Sequence, residues 1–265
     1  ILIKMAFIMS LSTILWIDLQ PTLHCFNQPL TRRLVKNRAI KRWSFQHELD
    51  EACSIETIHS LMLETINNGK EKFHLMGHGI SGTIAHLFAC KYPDAAHSVT
   101  LLSADTAITN QWTSHYLKMR SQLPCSRDKI LLHLSSHLFG SNLSKKYPIF
   151  ASLLAKCLDE EYIFGSIASQ IRLGSLKASD VPTLVINGNN DFVVDRNAKT
   201  RWEEQLKPGD HYRSMENARH FFQYQQANQT TDVIESFLDM IPEDGTDKSL
   251  TIKNDYLPTK ISKND

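Results

Sequence analysis

The sequence holds no C-x-x-C pair, and its five cysteines, Cys25, Cys53, Cys90, Cys125 and Cys157, are scattered and odd in number. That distribution argues against a disulfide framework and a cysteine zinc site, and a reducing, cytoplasmic setting is expected. No charge of one sign is in excess. The 29 Lys and Arg stand against 28 Asp and Glu, so no net field points to nucleic acid or to acidic ligands. No apolar run reaches the roughly 20 residues of a spanning helix. The opening "ILIKMAFIMSLSTILWID" is broken by Lys4 and bounded by Asp18, so no stable membrane insertion is expected. Its later residues read as a strand rather than as the core of a signal peptide. The first residue is Ile1, and a trimmed start lacking N-terminal strands is one expectation. No internal repeat and no Walker loop is present, and "GHGISG" sits in a context that reads better as another kind of turn, so no cofactor is expected.

What is present is an alternation of strands and helices. "TILWIDLQP", ending at Pro21, is β-rich and reads as a buried strand. Residues 22–53 read as irregular and polar, with the basic run Arg32 to Arg42 as a solvated face. Ser54 caps an expected helix whose apolar residues Ile55, Ile58, Met62 and Ile66 keep helical spacing, and Gly69 is its expected stop. Phe73 to Met76 reads as a strand, Ile80 to Lys91 as a helix stopped by Pro93, and Ser98 to Ala104 as a strand. Such a βαβ unit implies parallel pairing. Residues 105–180 show only helical patterns, whereas "PTLVINGNND" returns to strand, followed by a helix, the weak strand "HYRSME" and a last helix through "TTDVIESFLDMI". The polar segment 242–265 has too few large apolar residues to offset its ordering entropy and is expected to be disordered.

The strand–turn–helix stretch from His74 to Ala104, with "GHGISG", "KYPD" and "SVTLLSA" in ungapped order, resembles the α/β-hydrolase superfamily. "WIDL", "PTLVINGNND" and "RHFF" extend the resemblance over roughly residues 13–240. It implies a mostly parallel sheet flanked by helices, with a core of residues 1–104 and 181–241 and an inserted helical cap over 105–180. In that family the sharp turn carries a nucleophilic serine, followed in chain order by an acid and a histidine. Matched onto this chain, the nucleophile position is Gly79, the acid Asp191 and the histidine His220. The backbone N–H of Ile80 matches one oxyanion donor. The family's His-Gly turn, which supplies the other donor after the strand preceding "WIDL", is not found. Arg219 also replaces the glycine usual before the histidine.

Gly79 has no side chain, so an acyl-enzyme has nowhere to form. The first expectation is a protein that binds a small apolar ligand or a partner without covalent catalysis. A second is general-base chemistry by His220, oriented by Asp191, in a hydrolase or lyase. A third is Ser81 as a displaced nucleophile, against which stands its place in the first helical turn, where a hydroxyl satisfies free N–H groups. Trp112 and Tyr116, together with Phe139, Tyr162 and Phe164, either line an apolar pocket or pack the cap. His133 and His137 lie four apart, but the H-E-x-x-H pattern is absent and no metal is expected. The sequence leaves the ligand and the oligomeric state open.

Overall fold

The computed structural model describes residues 13–45, 54–66, 71–107, 110–161 and 176–242. Cys53, Gly69, Tyr162, Phe164 and the expected disordered tail beyond Pro242 lie outside them. Six strands form one parallel sheet: β1 (Ile14–Asp18), β2 (Ile40–Ser44), β3 (Phe73–His78), β4 (Ala96–Leu102), β5 (Thr183–Gly188) and β6 (His211–Met215), in the order β2-β1-β3-β4-β5-β6. β1 and β3 are buried along their whole length, as expected of inner strands covered on both faces, whereas β2, at one edge, exposes Lys41 and Arg42 and buries Trp43.

Helices supply the two outer layers. On one face, α1 (Gln28–Leu34) and the last helices, α8 (Phe222–Gln225) and α9 (Ala227–Leu238), close over Trp16, Met76, Leu102 and Ile186. On the other, α2 (Ile55–Thr65), α3 (Ile80–Lys91) and Trp202 of α7 (Ala198–Glu203) close over Leu15, Ile17, Leu75 and Leu101. Ser54 caps α2 as its sequence implies, its Oγ accepting from the Thr57 N–H at 3.0 Å. Between β4 and β5 the described residues add α4 (Trp112–Gln122), α5 (Arg127–Phe139) and α6 (Tyr147–Glu160) and no strand. These three helices share an aromatic core with Phe26 and Phe221. No helix among the described residues is long and apolar enough to cross a membrane.

Two sequence expectations are corrected. Residues 22–53 are not irregular throughout, because a 3-10 turn (Pro21–Phe26), α1 and β2 fall within them. The basic run hid these elements: Arg32, Arg33, Lys41 and Arg42 sit on the open side of a short helix and an edge strand, while Leu30, Leu34 and Trp43 point inward and Arg38 is buried against Glu235 and Asp239. The place expected for a donor turn, ahead of "WIDL", is the second. β1 pairs directly with β3, and the turn that follows β1 itself meets the start of α3, where the Leu19 N–H donates to Ser81 Oγ at 3.0 Å.

Strand order places a site. From β1 the chain moves outward to β2, then crosses back to β3 and continues to β6. The loops leaving the carboxyl ends of β1 and β3 therefore diverge, and open parallel sheets bind ligands in such a crevice. The β3–α3 turn is also tightly packed. A Cβ on Gly77 would lie 2.5 Å from Gly82 N, so helix and strand meet through bare backbone. Gly77→Ala is expected to lower unfolding stability by about 2–4 kcal/mol. Gly209→Ala, with positive φ but open space around it, should cost about 1 kcal/mol. Urea titrations of both variants check the contrast.

Candidate functional site

β3 ends at His78, and the chain reverses into α3 through a single residue. Gly79 has φ 53° and ψ −123°, a conformation that side-chain-bearing residues adopt only under strain. A Cβ built on it would meet Gln111 Oε1 at 3.5 Å and no other described side chain or non-adjacent backbone within 4 Å. The turn thus has room for a side chain that the sequence does not supply. Directly after it come the first amides of α3, which have no intrahelical acceptor, beginning with Ile80.

The loops after β5 and β6 bring the other two matched residues together. An Asn190 N–H bond to Ala218 O at 3.0 Å ties these loops, and they approach so closely that a Cβ on Gly188 would lie 2.4 Å from the same oxygen. Across this junction His220 Nδ1–H donates to Asp191 Oδ2 at 2.9 Å, with both side chains almost wholly buried. Burial works to raise the Asp191 carboxyl. The His220 ring and the amides of Val193 and Val194 outweigh it and hold the group below the ordinary carboxylate range. His220 Nε2 is buried and has no hydrogen-bond partner.

Residues that the sequence did not single out hold this imidazole in place. His78 Nε2–H and Ser103 Oγ–H both donate to the His220 carbonyl, at 2.9 and 2.6 Å. Ser103, at the end of β4, sits at φ 47°, a second strained residue beside the same loop. The His78 ring stacks on Phe221 and meets the His220 ring edge-on. Only the register of β3 against its neighbours could have marked His78 as inward-facing.

Ser81 is buried, and its hydroxyl accepts from Leu19, which ties the β1 turn to α3; it is not bonded to His220. Trp112 opens α4 directly after Gln111, and its indole donates to Gln20 Oε1 at 3.3 Å. Tyr116, one turn on, is buried in the aromatic core of α4, α5 and α6. Gln20 also donates to Cys157 Sγ, whose thiol is pushed far up by burial and by Glu161 and stays protonated. Asp18, at the carboxyl end of β1, is buried beside the crevice. Its carboxylate accepts from the Gln20 N–H at 3.3 Å, from Arg42 at 2.9 Å and from His24 at 3.0 Å. Arg219 turns away from the dyad toward Gly140.

His133 and His137 touch at 3.1 Å on α5, and no group of three or more His, Cys, Asp or Glu that could hold a metal occurs among the described residues. Gly77, Gly79 and Gly82 do fall at G-x-G-x-x-G spacing, so their surroundings rather than their spacing argue against a dinucleotide loop. The acid that follows β4, Asp105, is buried against Arg201 and Asn110 instead of facing the turn.

Comparison with known proteins agrees with this fold. No family model matches the chain. A protein of Nostoc sp. named only as uncharacterized is 29% identical over 211 residues, 80% of this chain and 84% of its own length. An uncharacterized Synechocystis sp. protein is 28% identical over 224 residues, 84% of this chain and 89% of its own. Among solved structures, the enol-lactonase of Burkholderia xenovorans superimposes with TM-score 0.65 at 17% identity, covering 86% of this chain and 91% of that one. A membrane phospholipase A described as a bacterial virulence factor gives 0.63 at 20% identity, with 86% and 78% covered. A laboratory-evolved potato epoxide hydrolase gives 0.62 at 15%, with 86% and 92% covered. The fold is that of the α/β-hydrolases. Within that fold, the crevice at the ends of β1 and β3 gathers Gly79, Ile80, Gln111, Asp191 and His220, while Tyr116 belongs to the packing of the helices above.

Buried histidines dominate the acid response of such a molecule. Burial pushes His78 and His74 down to about 3 and His59 down to about 4. Unfolding returns each to about 6.5. Between these values the unfolded chain binds more protons than the folded one, so stability rises with pH and is lost on acidification from pH about 6.5 toward 4. Unfolding near pH 5 should take up about three protons from these residues. In His78→Gln that number should fall by about one, as read from the pH dependence of urea unfolding.

Proposed function

We propose that this chain is an α/β-hydrolase-fold protein that has given up acyl-enzyme chemistry and binds a small apolar ligand in the crevice below α4. The observation that carries the reading is Gly79: the turn that should lift a nucleophile above the sheet presents bare backbone, although a Cβ there would meet nothing closer than 3.5 Å. Loss of the nucleophile from a unit of this kind costs on the order of a millionfold in turnover.

The oxyanion side supports the same reading. The turn after β1 lies beside the elbow, and its Gln20 N–H already donates to a buried carboxylate, Asp18. An N–H engaged in that way is not free to meet the charge that develops on a tetrahedral intermediate. The engagement of Ser81 with Leu19 favours a packing role for its hydroxyl over a nucleophilic one. Helices α4 to α6 serve as the cap, with Gln111 and Trp112 as its contribution to the crevice. A reducing, cytoplasmic setting is supported by the free thiols of Cys25, Cys90, Cys125 and Cys157.

The retained dyad supports a second reading, general-base action by His220 on a bound ligand or on water, without a covalent intermediate.

A fluorophosphonate probe tests the first reading. The wild-type chain should remain unlabelled, and its ester turnover should not exceed that of His220→Gln. Gly79→Ser, which restores a hydroxyl at about 1–2 kcal/mol of backbone strain, should become labelled. Labelling of the wild type, at Ser81 or at any other residue of α3, would overturn the proposal.

A further inference from the structure

We propose that the ligand is a small apolar alcohol, whose hydroxyl takes the place of the absent serine hydroxyl and donates to His220 Nε2. The inference rests on the non-covalent reading above and names the chemistry of its ligand. Its starting point is the imidazole. Nδ1–H is committed to Asp191, so in the neutral ring Nε2 is an acceptor. That acceptor is buried and unpartnered. A buried polar group without a partner is uncommon in folded proteins and asks for an explanation. In a serine hydrolase of this fold the nucleophile's own O–H satisfies it. Here the chain holds every part of that arrangement except the donor.

Space and surroundings define what can supply the donor. Gly79 leaves room at the elbow for a carbon at the Cβ position, bounded by the buried carboxamide of Gln111. Beyond that carboxamide stands Trp112, and next to the imidazole stands Phe221, both buried. Apolar walls with few polar anchors favour an apolar body carrying one polar head. Charge narrows the choice. Asp191 is already paired with His220, and Asp18 adds a second buried carboxylate at the end of β1. The nearby cations are turned elsewhere, Arg42 to Asp18 and Arg219 to Gly140. An anionic head would enter a site with no cation facing it among the described residues, whereas a neutral hydroxyl answers Nε2 with one proton and leaves its oxygen for the first amides of α3.

The test uses two isomeric probes, benzyl alcohol, which can donate a hydrogen bond, and anisole, which cannot. Ligand-observed NMR titrations of the full chain should give benzyl alcohol an affinity about tenfold higher, the worth of one buried hydrogen bond. Gly79→Ser should abolish the difference, because its own hydroxyl then reaches Nε2. Gly79→Ala, which fills the space without supplying a donor, should weaken benzyl alcohol by a similar factor. Equal affinities in the wild type, no detectable binding of either probe, or a preference that survives Gly79→Ser would overturn the proposal. If either variant fails to fold, the wild-type comparison decides alone. Failure here leaves the non-covalent reading standing as long as the wild type stays unlabelled by fluorophosphonate, so the two failures are told apart.

Discussion

One hydrogen bond organises this site. His220 and Asp191 come from loops 29 residues apart, and their 2.9 Å contact is buried away from water. A buried carboxylate is tolerated only when such partners surround it, and a buried imidazole keeps one tautomer only when its other nitrogen is committed. The backbone bond from Asn190 to Ala218, the donors from His78 and Ser103 to the His220 carbonyl, and the amides of Val193 and Val194 all serve to hold that pair at one distance. So much support would be excessive for an ordinary surface loop. It is what a positioned acid–base pair requires.

Against that rigid pair stands a turn without its reactive atom. The elbow backbone persists, with Gly77 and Gly82 in close approach and Gly79 in the strained region, but nothing projects from it. A glycine relieves the strain that a serine would endure there. The position is therefore locally more comfortable. In the nearby turn after β1, the carboxylate of Asp18 accepts from the Gln20 N–H. Beside both turns the bond between His220 and Asp191 is intact.

The sequence disclosed the sheet core because inner parallel strands read as short apolar runs and their turns are punctuated by glycine and proline. It also named Asp191 and His220, which the fold brings to 2.9 Å, since chain order and motif spacing are written directly in the residues. It concealed β2, where "IKRWS" sits at an edge and shows its cations outward, so that periodicity looked like a solvated face. It concealed the roles of Asp18, Gln20, Gln111 and Ser103 for another reason. Their importance comes from which strand ends lie side by side, and that order, β2-β1-β3-β4-β5-β6, is a property of the assembled sheet rather than of any local stretch. The same hidden order lies behind the donor turn expected upstream of β1.

The central claim is that no covalent intermediate forms at this elbow. It is tested most directly by intact-mass spectrometry of the wild-type chain, quenched at short times after mixing with p-nitrophenyl butyrate. The account predicts no adduct beyond that acquired by the His220→Gln variant. A single butyryl group, gained within the first turnover and lost again with dependence on His220, would contradict it.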